Sequence, residues 1–464
     1  MLSPGLTASL RRVCARTLLH SANAAHRHAL PLTPRIIASS RIHLYRPLAT
    51  SSSILSRLRP LSPRRTAPAP LARRTLDRQP STEDEADLPP PPSDAQQPSI
   101  SRALLFFAGF SAISFTGAAY YSLKDTQHVA SQLQTSRDVF ANISSFFSSS
   151  VSSGRAEADI WGPGVSEHRL RIAKNHEVAT RLGLRLEWLM GWCRQLHLPE
   201  GVTEFVGRSY LIVAEKYLDL PPAKQVVVPV IAVNTAVFAL WTIASRRGGA
   251  GGMWRWMTRN FVHRPSSART HTLLTSVYSH QTFVHYLFNN MALWSIGGSA
   301  LFVAAHHTAG ATIPEASPLA HFLAFFTAAG LFAATASHIL TALRFRRTAT
   351  LRGLAAAKTT IGRHASLGAS GAVYATLVLP AFAFPDAQLG ILFVPFVSFP
   401  IGVGVAGLVA VDVAGLVRGW KTFDHAAHLA GAAFGVGYWG GGGEVWQWVL
   451  RRLVTSGAVV ETER

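Results

Sequence analysis

Charge is scarce in this chain and unevenly placed. Only 15% of its 464 residues are Asp, Glu, Lys or Arg, where ordinary soluble domains carry about 25%, so the composition argues against a soluble globular protein. Cysteine is nearly absent as well: Cys14 and Cys193 cannot build a disulfide framework, and their spacing offers no metal site. Acids and lysine are missing altogether from Met1 to Thr75, while Arg11, Arg12, Arg16, Arg27, Arg35, Arg41 and Arg46 recur among Ser, Ala and Leu. A basic, Ser-rich, acid-free leader has the composition of a mitochondrial transit peptide rather than of a secretory signal, and residues 1–80 are read as such. The formal charge of +20 does not point to nucleic acid, because the arginines fall in this leader and in short loops between apolar runs.

What the chain has in abundance is apolar blocks. An acidic, Pro-rich linker at 81–100 (STEDEADLPPPPSDAQQP) leads into the uncharged run ALLFFAGFSAISFTGAAYYSL. This first transmembrane helix, 101–124, is long enough to cross about 30 Å of hydrocarbon at about 1.5 Å per residue. Residues 125–224 mix charges with amphipathic patterns and read as a water-exposed helical region. Six more apolar blocks follow near 225–245, 280–305, 317–343, 366–385, 389–417 and 424–449, with a short tail at 450–464. The expected fold is an all-α membrane protein in the lipid bilayer: a polytopic helical bundle with one extra N-terminal transmembrane helix before a six-helix core at 225–449. Loops 246–279, with six arginines and no acid, and 344–365 are strongly basic, whereas 306–316 and 386–388 lack Lys and Arg. The positive-inside rule puts the basic loops on the matrix side.

Three short motifs each open a helix at the basic-loop side: SHQTFVHYLFNN at 279–290, GASG at 368–371 with Tyr374 one turn on, and FDHAAHLAGAAFG at 423–435. A serine hydroxyl is a weak nucleophile until a base takes its proton, and His428 is the candidate base for Ser370. Gly431 and Gly435, four residues apart, let the helix of His428 approach another backbone closely. Attack on a peptide carbonyl places negative charge on oxygen, for which the Ser370 N–H and the side chains of His285 and Asn289 are candidate donors. Each residue also has a plainer reading. Ser370 could bond back to its own helix, Asn289 and His285 could be interhelical glue, and Tyr374 could be an interfacial aromatic. Asp424 is either a third member beside His428 or a helix cap, and Asp412 reads as a paired structural carboxylate. His425 with His428 is a weak metal pair; no metal and no cofactor is expected.

Taken together, HxxxN at His285–Asn289, GxSG at Gly368–Gly371 with Tyr374, and HxxGxxxG at His428–Gly435 resemble the rhomboid intramembrane serine proteases. The run DVAGLVRGWKTFDHAAHLAG at 412–431 is similar to the mitochondrial presenilin-associated rhomboid-like branch, which also has one helix before the six. The resemblance implies a Ser370–His428 dyad with no required acid, an oxyanion site at His285 and Asn289, and Tyr374 packed on the base. It also implies single-span membrane proteins as substrates, among them a dynamin-like GTPase of the mitochondrial inner membrane, with a role in fusion and membrane upkeep. The chain departs from many bacterial members in lacking a Trp-Arg pair at His271–Thr272; Trp254–Arg255 lies well upstream. The stretch Gly390–Leu416, rich in Pro and Gly, is expected to be a deformable helix that gates substrate entry. Two rivals remain: a non-catalytic rhomboid-like protein that binds membrane helices, and a multispan transporter, which would be expected to show paired repeats.

Overall fold

The computed structural model describes residues 96–147, 167–246, 251–301, 312–391 and 394–458. The leader at 1–80 and most of the linker at 81–100 lie outside the described residues. The helices are α1 (Ile100–Phe147), α2 (Glu167–Gln195), α3 (Glu200–Leu218), α4 (Val228–Ser245) and α5 (Gly252–Phe261). After them come α6 (Phe283–Ala292), α7 (Leu319–Arg352), α8 (Ser370–Ala383), α9 (Ile401–Arg418) and α10 (His425–Thr455). Among the described residues, four segments are long and apolar enough to cross a membrane: 100–133 of α1, 222–245, α7 and α9. The other three expected crossings are occupied differently. The α6 helix passes into a π-turn at Leu293–Gly297, α8 has only 14 residues, and α10 carries a run of glycines at 440–443.

The centre of the bundle is α7, of whose apolar window 72% is buried. Phe322, Phe325 and Phe326 project from it into the main cluster with Val277, Leu293, Ala372, Val373 and Tyr438, so α7 joins α1, α8 and α10. Burial of such aromatic side chains stabilises the bundle's interior by about 1.5–3 kcal/mol each where water is the alternative. Membrane-spanning α1 is held to this core by a carboxylate as well as by packing. Glu315 accepts from Ser122 of α1 at 2.5 Å and from the Trp446 indole of α10 at 3.0 Å. His321 of α7 lies flat on the Trp446 ring, centroids 4.0 Å apart.

Several boundaries differ from the sequence reading. The first helix does not stop at residue 124; it runs on through Lys124 and Asp125, because Asp125 finds a partner in Lys174 of α2 at 2.5 Å. The block at 389–417 is not one helix. Its first part folds as an antiparallel hairpin, β1 (Gln388–Ile391) with β2 (Val394–Pro400), and only Ile401–Arg418 is helical. VPFVSFP favours this outcome: its β-branched and aromatic residues suit a strand, and Pro400 sits at the N-cap, where its fixed φ is tolerated. The last helix also extends past 449 to Thr455.

Candidate active site

Ser370 is the first residue of α8, placed there by the turn before it. Gly368 has φ +125°, a conformation that L side chains rarely adopt, and its N–H bonds to the Ser276 carbonyl at 2.9 Å. The next amide, Ala369 N–H, is turned toward Nε2 of the buried His280, 3.4 Å away. Because Ser370 opens a helix, the first backbone N–H groups of α8 have no carbonyl one turn earlier to bond. They carry the positive end of the helix dipole toward the serine.

His428 reaches the serine from α10. The start of α10 is fixed by Asp424, whose carboxylate accepts from the Ala427 N–H at 3.1 Å and from Ser337 of α7 at 2.6 Å. Asp424 is therefore a cap and bridge to α7. From that anchored end α10 runs against α8 with backbones nearly touching: a Cβ on Gly431 would collide with the Gly371 carbonyl, and one on Gly435 would lie 2.7 Å from the Ala375 oxygen. Gly371 in turn leaves room for Ala333 of α7 and for the Ala427 carbonyl. With the helices this close, His428 Nε2 lies 2.8 Å from Ser370 Oγ.

Around the imidazole the structure adds partners that the motifs did not supply. Tyr374 stacks on His428, centroids 4.6 Å apart and planes 14° from parallel, and its hydroxyl donates to Oδ2 of Asp412. Asp412 Oδ1 lies 3.0 Å from His428 Nδ1 and 2.6 Å from His425 Nδ1. Asp412 is a paired carboxylate, as the sequence reading expects, and one of its partners is the imidazole that touches Ser370. The sequence signal was there: an ionisable side chain at membrane depth in α9 is costly and calls for a specific partner. The acid nearest in sequence, Asp424, is not the one used; the contact joins residues on two different helices.

On the other side of Ser370, His285 packs against the Gly368 turn. A Cβ on Gly368 would meet His285 Cε1 at 2.5 Å and Nε2 at 2.8 Å. His285 also meets His280 edge to face at 5.0 Å, so His280, which motif reading left unassigned, braces both the turn and the imidazole. Asn289 is buried, and its amide donates to the His285 carbonyl one turn back at 3.0 Å. That leaves one amide hydrogen for another partner. The neighbouring Asn290 bonds Asn234 of α4 at 3.0 Å and ties α6 to the bundle. Trp254, on α5, packs edge-on against Trp241 of α4 at 5.0 Å.

Residues 267–441 match the rhomboid domain. Presenilin-associated rhomboid-like protein A, mitochondrial, of Danio rerio is 32% identical over 231 residues, covering 49% of this chain and 51% of that protein. Its Homo sapiens counterpart is 31% identical over 222 residues, 47% of this chain and 49% of that protein. Rhomboid protein 1, mitochondrial, of Saccharomyces cerevisiae is 30% identical over 220 residues, 46% and 52% of the two. The chain spans about half the length of the curated relatives it matches. No solved structure matches it. Residues 267–441 thus match a rhomboid domain, with Ser370 and His428 both inside the matching residues, and about half of the chain is similar to the mitochondrial presenilin-associated rhomboid-like proteins.

Proposed function

We propose that this chain is an intramembrane serine endopeptidase of the mitochondrial inner membrane that cleaves single-span membrane proteins. The observation that carries the reading is the 2.8 Å approach of His428 Nε2 to Ser370 Oγ, made by two helices whose glycines bring their backbones together. In the first half-reaction His428 takes the proton of Ser370 as Oγ attacks the substrate carbonyl carbon. The new oxyanion meets the free N–H groups at the start of α8 and the His285 imidazole. His428 then returns the proton to the leaving amine, and water activated by the same imidazole releases the acyl group from Ser370. No metal or cofactor enters this sequence.

Single-span membrane proteins are the substrate class proposed, and the apolar helices that surround the site are what supports it. A dynamin-like GTPase of the inner membrane, and with it a part in mitochondrial fusion, belongs to this reading. The test is the chain in liposomes beside its Ser370→Ala variant, with a single-span reporter. Cleavage by the parent and not by the variant supports the protease. Binding of the reporter by both, with cleavage by neither, would favour a non-catalytic membrane-helix binder.

A further inference from the structure

We propose that Asp412 is a positioning residue for His428, supporting the Ser370–His428 pair from behind the imidazole; this rests on the protease reading above. Asp412 is 2% exposed, and among the described residues no Lys or Arg pairs with it. Its charge is met by three donors: Tyr374 Oη on one oxygen, and the Nδ1 atoms of His425 and His428 on the other. An ionised carboxylate only accepts, so Nδ1 of His428 carries the proton. Nε2 is then left as a lone pair facing Ser370 Oγ. This is the tautomer a general base needs. When Nε2 takes the serine proton, the imidazolium that forms already faces a carboxylate at 3.0 Å, inside a bundle where water competes little.

The surroundings hold this arrangement from three helices. Tyr374 of α8 fixes the ring plane by stacking and fixes the carboxylate by its hydroxyl. His425, one turn before His428 on α10, shares the same oxygen. Gly415, just past Asp412 on α9, gives it room, because a Cβ there would run into the His425 ring. A carboxylate that merely pinned α9 to α10 would not need its oxygen on the one imidazole that touches Ser370.

The full chain in liposomes is compared with Asp412→Asn and Asp412→Glu for kcat, KM, the labelling rate of Ser370 by a fluorophosphonate, and thermal unfolding. Asp412→Asn is expected to lower kcat and labelling together by about 10²- to 10⁴-fold, with KM and unfolding temperature near the parent's. Asp412→Glu, which keeps the charge, is expected to recover about tenfold of that loss. A kcat in Asp412→Asn within about threefold of the parent, or a loss confined to KM and thermal stability, overturns the proposal. Should Asp412→Asn fail to fold, Tyr374→Phe keeps the ring on His428 and deletes one donor to Asp412. It is expected to lower kcat and labelling about tenfold, and unchanged rates there overturn the proposal too. A parent that neither cleaves nor takes the probe defeats the protease reading itself, and Asp412 with it. A parent that does both, beside an unaffected Asp412→Asn, defeats only the positioning role of Asp412.

Discussion

Gly431 of α10 rests directly against the carbonyl of Gly371, the residue that follows Ser370. No side chain separates the two backbones at this crossing, one turn past His428 and beside the serine. The hydrogen bond between His428 and Ser370 is therefore set by the closeness of two helix axes. Gly431→Ala is expected to push α10 away from α8, destabilise the bundle by about 1–3 kcal/mol through overpacking, and abolish most cleavage. Parallel thermal unfolding and reporter cleavage check it; wild-type activity in a folded Gly431→Ala protein would contradict the close-crossing account.

Gly368 is constrained twice, by its φ of +125° and by the His285 ring where a Cβ would stand. Gly368→Ala should cost about 1–3 kcal/mol in backbone strain and displace His285 from the serine turn. A lower kcat with little change in KM is the expected kinetic form, because the substrate's remote contacts are untouched. Equal loss in an alanine variant at Gly437, which has open space around it, would show instead that any added methyl is harmful.

His285 and Asn289 share a helix face but not a surrounding. His285 lies against the turn that presents Ser370, whereas one amide hydrogen of Asn289 is bonded to the His285 carbonyl. If both aid the oxyanion, each alanine variant should lose about 10²–10³ in kcat. The geometry predicts His285→Ala at the upper end of that range and Asn289→Ala below it. A larger loss at Asn289, measured by single-turnover cleavage, would reverse the assignment.

Ser370 and His428 could be singled out in the sequence because their constraints are local, and the structure brings the two side chains together. A serine between glycines at a helix start and a histidine followed by small residues at four-residue spacing each describe one helix. What was not legible lay between helices. Asp412 and His428 are 16 positions apart and meet only because α9 folds back along α10, so no spacing rule picks Asp412 over the nearer Asp424. His280 is likewise defined by its reach to an amide 89 positions away. The hairpin at 388–400 was missed for another reason. An apolar run bounded by loops fits a spanning helix by composition, and only Pro395, Pro400 and the β-branched and aromatic residues between them argue otherwise. That hairpin changes the gating expectation: Gly390–Leu416 is not a single helix, because strand residues precede the helix that begins at Ile401.

The attachment of α2 to α1 should depend on acid. Lys174 bridges Asp125 of α1 at 2.5 Å and Glu177 of its own helix at 3.0 Å, beside the packed Val129, Ala130 and Leu170. Burial opposes ionisation of Glu177, but the Lys174 hydrogen bond and the charges of Lys174, Arg181 and His128 outweigh it, so its carboxyl is held below its ordinary value of 4.5. A carboxylate whose folded pKa is depressed contributes stability above its unfolded pKa and loses it as pH falls through the folded one. The α1–α2 contact is thus expected to be firm at pH 7 and to loosen only as pH falls below the ordinary 4.5 of Glu177. Nitroxides at the exposed Ser131 and Thr180 report it by double electron–electron resonance. One narrow distance at neutral pH should broaden on acidification, and Lys174→Met should broaden it already at pH 7. An unchanged distribution at pH 3 would mean that the apolar contact of Leu170 with Val129 and Ala130 suffices to hold α2 without the ion pairs.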